Sequence, residues 1–140
     1  MSKLSSTPTY YIRRSAFQSI LHQALTQQEG QAFFGLLGSI TEQTNTLDKV
    51  MGLTSIQQVE TALQQWQSDG IVCVGVFLMQ GAVLCDTIYK HMPNPYVHLS
   101  VKLDEKGRLD LLADLCDQTK HKQSVLPLSL IEDGQQVSYA

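Results

Sequence analysis

Three cysteines and four histidines are the side chains of this 140-residue sequence best suited to metal binding or nucleophilic catalysis. The cysteines form an odd set without CxxC spacing, which argues against a disulfide framework or a structural zinc site. They are Cys73, Cys85 and Cys116. The histidines have neither HxH spacing nor the i, i+4 spacing of a helical zinc motif. They are His22, His91, His98 and His121. The spacing therefore predicts no metal site.

Cys85 lies close in sequence to groups that could activate its thiol. Nucleophilic cysteine chemistry needs a base that takes the thiol proton and a third group that orients the base. His91 or His98 could be that base, with Asp86 orienting the imidazole. No family signature surrounds Cys85, so a small, partly buried thiol is the simpler interpretation. Cys73 lies inside an apolar strand and is predicted to belong to the core.

Charged residues are scarce, at 16% of the sequence, against roughly 25% in ordinary soluble domains. Ten basic and thirteen acidic residues give a net charge of -3, so the composition predicts neither nucleic-acid nor membrane binding. Part of the missing charge is replaced by glutamine on one face of a predicted helix, at Gln57, Gln58, Gln64, Gln65 and Gln67. We predict a solvated face, with a partner contact near Trp66 as the alternative.

The length predicts a single globular domain, since such domains commonly have about 100 to 150 residues. We expect it to span residues 1–140, with short polar tails at about 1–6 and 134–140. No apolar run approaches the roughly 20 residues of a membrane span, and the sequence starts without the apolar stretch of a secretory signal. Unpaired cysteines suit a reducing compartment, so we expect a soluble, cytoplasmic protein.

Two segments have the pattern of amphipathic helices. Ser15 and Gln18 have capping-box spacing at the start of the first, which Gly30 is predicted to end, and Ser55 and Gln58 repeat the spacing at the second. The first helix is predicted to bury Phe17, Ile20, Leu21, Ala24 and Leu25. The second is predicted to bury Ile56, Val59, Leu63 and Trp66.

The other apolar segments predict strands. Residues 71–79 form a continuous apolar run, which is typical of a central strand covered on both faces. Residues 31–40, with two glycines, predict a buried strand close to another backbone. Residues 96–103 alternate between apolar and polar side chains, which predicts a half-exposed strand, and a hairpin loop follows them. Residues 108–116 fit a strand or a helix, and the preceding hairpin loop favours the strand. Shorter strands are predicted over residues 7–12, at a sheet edge because of Pro8, over residues 47–51 and over residues 125–133.

Several strings together resemble one family. QAFFGLLGS resembles its second strand, and VETALQQWQSDG followed by IVCVGVFL resembles the helix and strand that carry its zinc-binding histidines. NPYVHLSVKLDEKGRLDLLADL and VLPLSLIEDG resemble the strand pair and final strand that close the domain. The family is the MPN domain, also called JAB or JAMM. The resemblance implies a single α/β (α+β) domain with a mixed, curved sheet and two main helices, a cytidine deaminase-like architecture.

Active members of that family use two His ligands, an Asp ligand, an activating Glu and a Ser that stabilises the oxyanion. The resemblance puts Ala32 at the Glu position, Phe77 and Met79 at the His positions, Thr87 at the Ser position and Lys90 at the Asp position. None of these can replace the imidazole and carboxylate ligands that zinc needs. The resemblance therefore implies no zinc, no catalytic residue and a pocket filled by Phe77 and Met79.

The resemblance also implies a class of partner. Relatives engage ubiquitin-like or sulfur-carrier proteins and often dimerise, so we expect a scaffold that binds a protein partner or forms a homodimer. One alternative is a hydrolase with a departed site, which either binds a metal through Asp86 and His91 or His98, or uses the Cys85 thiol. The other is an unrelated small α/β domain.

Overall fold

The structure, a computed structural model, describes residues 9–26, 34–40, 46–53, 55, 57–79, 86–119 and 122–132. Its helices are α1 (Arg14–Thr26), α2 (Gln58–Asp69) and the short α3 (Asp86–Tyr89). Its strands are β1 (Tyr10–Arg13), β2 (Phe34–Ser39), β3 (Thr46–Leu47), β4 (Lys49–Leu53), β5 (Val72–Met79), β6 (Tyr96–Leu103), β7 (Leu109–Asp117), β8 (Lys122–Val125) and β9 (Leu128–Ile131).

The larger sheet has the strand order β4-β2-β5-β6-β7-β8. Neighbouring strands in this sheet are antiparallel except β5 and β6, which run parallel. The connection from β5 to β6 contains α3 and returns the chain to the end of the sheet where β5 began, as a parallel pair requires. The prediction of a central strand over residues 71–79 is confirmed, with Val74 to Leu78 buried. The predicted strand over 96–103 and its hairpin partner are also confirmed, and Gly107 closes their loop with φ 79°.

The smaller sheet has the order β3-β1-β9, with both pairs parallel. The expectation that the first strand lies at an edge is wrong, because β1 is paired on both sides. Proline disfavours a central position only where a ladder N–H is needed, and Pro8 precedes Tyr10, the first residue of β1. The sequence position of Pro8 therefore leaves the described ladder intact.

Two segments predicted as single strands each divide between the two sheets. At Asp48 the chain leaves β3 in the smaller sheet and enters β4 in the larger. Between Val125 and Leu128 it passes from β8 to β9 in the same manner. There the Leu126 N–H donates to Ala113 O (2.9 Å) in the larger sheet, and Pro127 O accepts from the Tyr10 N–H (3.0 Å) in the smaller.

The larger sheet has two faces with separate cores. We call the side packed against α1 and the smaller sheet the α1 face, and the side packed against α2 and α3 the α2 face. The buried core on the α1 face consists of Ile12, Ala16, Ile20, Ala24, Leu37, Leu47, Val74, Phe77, Val97, Leu99, Val101, Ala113 and Leu126. The buried core on the α2 face consists of Leu36, Leu53, Val59, Ala62, Trp66, Val76, Ile88, Met92 and Tyr96.

Both predicted helices form, with corrected starts. Helix α1 follows β1 without a gap, so Ser15 lies inside it rather than at its N-cap, and its buried residues are Ala16, Ile20 and Ala24. These are four residues apart and two of them are small, which lets the helix lie close to the sheets. Leu25, predicted to be buried, is 55% exposed. The predicted end at Gly30 lies outside the described residues.

Helix α2 begins at Gln58, after an N-cap residue whose side chain makes no capping hydrogen bond. Half of the predicted capping box is present, because the Ser55 N–H donates to Gln58 Oε1 (3.2 Å). Gly70 ends the helix in the left-handed region, at φ 77°, a conformation that glycine adopts without steric cost. Among the described residues no helix has the length and apolar character needed to cross a membrane.

Candidate functional site

Phe77 and Met79, which the resemblance puts at the two histidine positions, both belong to the α1 face. Phe77 is fully buried and Met79 packs against the same core. Across the strand pair, Phe77 is paired with Gly35, and a Cβ at Gly35 would overlap the Phe77 ring. The absence of a side chain at Gly35 therefore gives this ring its space. This close approach agrees with the prediction that the glycines of β2 allow tight packing.

The residues predicted around α3 lie on the other side of the sheet. Asp86 and Thr87 begin α3, Ile88 and Tyr89 pack on the α2 face, and Lys90 is exposed. Ala32 and Cys85 lie outside the described residues. The structure thus does not bring Phe77 and Met79 together with α3. Since successive strand residues alternate faces, Leu78 between them falls on the α2 face, where Val76 of the same strand shares a core with Ile88 of α3.

The two candidate histidines are separated in the structure. His91 follows α3, where its N–H donates to Ile88 O (3.1 Å), and is half-buried. His98 lies on β6 directly opposite Asp114 on β7. Its Nδ1 is buried and has no hydrogen-bond partner among the described residues. Burial lowers the pKa of His98, and the nearby Asp114 carboxylate partly opposes this shift.

A short strip of polar side chains crosses the α2 face between β6 and β7. We call Tyr96, His98, Asp114 and Cys116 the polar strip; Tyr96 pairs with Cys116 and His98 with Asp114. Burial raises the pKa of Tyr96 and of Cys116. A thiol with a raised pKa stays protonated and is a poor nucleophile. The polar strip could have been predicted in part from the sequence, because the hairpin predicted for β6 and β7 implies which of these residues pair across the two strands.

The described side chains do not form a zinc site. No group of three or more His, Cys, Asp or Glu among them is placed to hold a metal ion. Phe77 and Met79 supply a ring and a thioether on the α1 face, whereas zinc sites use thiolate, imidazole and carboxylate ligands. Cys73 donates its thiol to Gly75 O (3.6 Å), and burial raises its pKa to about 11. The residues therefore do not fit the zinc of active MPN domains.

A groove of about 510 Å³ lies between the edge strand β4 and helix α2, within the range of about 300 to 1,000 Å³ usual for ligand clefts. We call it the amide groove. Its described lining contains no ionisable side chain and consists of Met51, Gly52, Leu53, Ser55, Gln57, Gln58, Thr61, Ala62 and Gln65. The structure thus divides the predicted glutamine face: Gln57, Gln58 and Gln65 line the groove, whereas Gln64 is exposed outside it.

Trp66 does not contribute to this groove. Its side chain is 3% exposed and belongs to the core of the α2 face. A Cβ at Gly38 would lie 2.8 Å from the Trp66 ring, so the indole packs against the β2 backbone. The suggestion that Trp66 marks a partner contact is therefore wrong. Exposed apolar side chains on the α2 face lie instead at Leu112 on β7 and Val125 on β8, 58% and 71% exposed.

Comparison with known proteins connects this geometry to a known fold. No family model and no curated protein matches the sequence. A protein of Desulfitobacterium hafniense has a similar structure, with a TM-score of 0.68 and 16% identity over 89% of this chain and 94% of its own. A protein of Salinibacter ruber is also similar, with a TM-score of 0.60 and 13% identity over 94% of this chain and 97% of its own. A JAB1/MPN domain protein from Archaeoglobus fulgidus has a TM-score of 0.50 and 15% identity over 88% of this chain and 98% of its own.

At these identities the likeness concerns the fold alone. The chain has an α+β fold of the MPN/JAB type, with helices on a mixed sheet. This confirms the fold that the resemblance implied, although no histidine or carboxylate occupies the strand positions Phe77 to Met79.

Proposed function

We propose that this chain, as a domain with the MPN/JAB fold, has no zinc-dependent hydrolase activity and functions by binding a protein. The observation that carries the proposal concerns the residues that the resemblance puts at the zinc-ligand positions of active members: none of them supplies an imidazole or a carboxylate. Phe77 is fully buried in the α1 face, Met79 packs beside it, and Lys90 is exposed beyond α3. A zinc hydrolase needs three protein ligands and an open coordination position for water.

The uncharged lining of the amide groove supports the binding half of the proposal. The cores of protein interfaces are depleted in charged side chains, and the amide groove is lined by uncharged residues. The resemblance supplies the partner class, which we propose to be a ubiquitin-like or sulfur-carrier protein or another MPN domain. A binding domain needs the scaffold of this fold but none of its metal ligands.

The competing function is a hydrolase that uses Cys85 with His91 or His98, or a metal held by Asp86 and one of these histidines. Asp86 and His91 flank α3, which keeps them close along the chain. His98 lies on a separate strand, and its Nδ1 accepts no hydrogen bond from, and donates none to, a described residue. The orienting contact that a catalytic imidazole needs at this nitrogen is therefore not formed by Asp114.

A turnover assay tests the proposal. The full chain is incubated with Zn²⁺ and a ubiquitin-like protein that carries a fluorogenic C-terminal amide. We expect no release of the fluorophore above a sample that contains Zn²⁺ alone. Turnover that a chelator removes would establish metal chemistry, and its loss in Asp86→Ala or His91→Ala would then identify the ligands. Turnover that persists with the chelator and is lost in Cys85→Ala would establish thiol chemistry, and either result overturns the proposal.

A further inference from the structure

We propose that the amide groove holds an extended, uncharged segment of a partner polypeptide, which joins the larger sheet as an added strand beside β4. The inference rests on the proposed function, because it describes how that partner is bound. Strand β4 (Lys49–Leu53) ends the larger sheet, and no described strand pairs with its outer side. The main-chain N–H and C=O groups of such an edge can pair with an incoming strand.

The lining of the groove determines the chemistry of the segment. Its described side chains are amides, hydroxyls and apolar groups, with Met51 and Leu53 on the strand and Gln57, Thr61 and Gln65 on the helix. Burying a charge without a partner is costly, so the segment is uncharged where it contacts the groove. Amide and hydroxyl side chains both donate and accept hydrogen bonds, which suits a peptide backbone and short polar side chains.

The other edge of the same sheet lacks this arrangement. Strand β8 (Lys122–Val125) ends the sheet on that side, and among the described residues it packs mainly against β7. At the β4 edge, helix α2 contacts β4 and adds a second wall to the groove. Lys49, the charged residue of β4, lies at the start of the strand and outside the groove lining. An added strand at β4 therefore gains both main-chain pairing and side-chain contacts.

Adjacent glutamines provide matched variants for the test. Gln65 lines the groove and Gln64 does not, yet both are exposed on α2. Lysine is a good helix former, so Gln65→Lys and Gln64→Lys both preserve the helix while adding the same charge. Thr61→Lys is a second groove variant, because Gln65 also donates to the Asp69 carboxylate (3.2 Å).

The probe is a phage-displayed library of random linear peptides, selected on the full chain. Enriched sequences are synthesised and their affinities measured by fluorescence anisotropy. We expect enriched peptides with consecutive uncharged residues, and a loss of affinity of about tenfold or more in Gln65→Lys and Thr61→Lys, about 1.4 kcal/mol for each factor of ten. Gln64→Lys should stay within about twofold. Amide chemical shifts should change most at Met51 to Leu53.

Methylation of the peptide amides tests strand addition itself. In an added strand only alternate N–H groups point toward β4, so single N-methyl groups should abolish binding at every second position. A charged consensus, no enriched peptide, no two-residue period, or equal losses in Gln64→Lys and Gln65→Lys would each overturn the inference. So would a free protein that is dimeric by sedimentation and becomes monomeric in Gln65→Lys, because the occupant would then be a second copy.

The failure of this inference is distinguishable from the failure of the proposed function. Peptides that bind instead at Leu112 and Val125 would overturn the strand at β4 while leaving protein binding in place. Zinc-dependent or thiol-dependent turnover would overturn the proposed function whatever the peptides do.

Discussion

The two faces of the larger sheet differ in how completely they are covered. On the α1 face, helix α1 and the three-stranded sheet bury an apolar core that runs from β2 to β7. On the α2 face, a helix of 12 residues and one short helix leave the amide groove open and the side chains of Leu112 and Val125 exposed. Both faces therefore bury a core, and the α2 face in addition offers a groove and exposed apolar side chains as contact surface.

The position of Phe77 illustrates this division. Phe77, which the family resemblance puts at a histidine position, belongs to the core of the α1 face. A residue that fills a core stabilises the fold and reacts with nothing. The polar strip on β6 and β7 lies on the opposite face.

Truncation of Phe77 should produce the largest effect and tests the claim for the α1 face. Removal of a fully buried aromatic ring destabilises a protein by about 3 to 5 kcal/mol, because burial is lost and a cavity remains. We expect Phe77→Ala to lower the free energy of unfolding by that amount in urea titrations. Leu112→Ala, at an exposed position of the α2 face, should cost less than about 0.5 kcal/mol. Equal costs would contradict the placement of Phe77 in a covered core and of Leu112 on an uncovered part of the sheet.

Asp48 should give the next largest effect, because it links the two sheets. Its carboxylate accepts from Arg13 Nε (2.8 Å), from the Ile40 N–H (2.9 Å) and from Ser39 Oγ (3.3 Å). Asp48→Ala leaves these donors without their carboxylate, and loss of one partner of a buried ion pair costs about 3 kcal/mol or more. Chemical denaturation measures the change.

The exposed pair Arg14–Glu132 provides the control for Asp48. Both side chains are largely solvent-exposed, and such pairs contribute about 0 to 1 kcal/mol. We expect Arg14→Ala to be nearly neutral. A large effect at Arg14 together with a small one at Asp48 would place the link between the sheets at the surface, contrary to this account.

His98 should give a smaller, pH-dependent effect on the α2 face. Burial lowers its pKa below the ordinary value of 6.5, so the unfolded chain takes up a proton at a higher pH than the folded one. The free energy of unfolding should therefore fall as the pH drops below about 6.5. His98→Gln should reduce this slope in urea titrations between about pH 7.5 and 5.5, a window that brackets the ordinary His pKa. If His98→Gln leaves the pH slope unchanged, burial of His98 makes no contribution to the pH dependence.

Local patterns in the sequence predict the elements whose burial is periodic or continuous. The apolar run of β5, the alternation of β6 and the turn glycines Gly70 and Gly107 suffice for the central strand, the hairpin and the end of α2. The smaller sheet could not be predicted, because it joins β1 to strands that are distant in the chain, for example Tyr11 with Thr46. The change of sheet at Asp48 coincides with its partly buried ion pair with Arg13, a contact between residues too distant in the chain for a local pattern to indicate.

The candidate site was predictable in chemistry but not in placement. Residue types alone indicate that Phe77, Met79 and Lys90 cannot hold zinc. Whether these residues converge depends on the face that each strand residue occupies, and the structure separates Phe77 from α3. Likewise, the spacing of five glutamines in the sequence predicts that they share one face of helix α2. Their division into groove and outer surface depends on β4, which only the fold places beside α2.

The most direct test of the central claim, that this fold has lost its metal site, is calorimetric titration of Zn²⁺ into the full chain. Because Phe77 and Met79 lie in the core of the α1 face and α3 packs on the opposite face, we expect no saturable binding. Tight one-to-one binding that is lost in Asp86→Ala or His91→Ala would contradict the account, because it would establish a metal site beside α3.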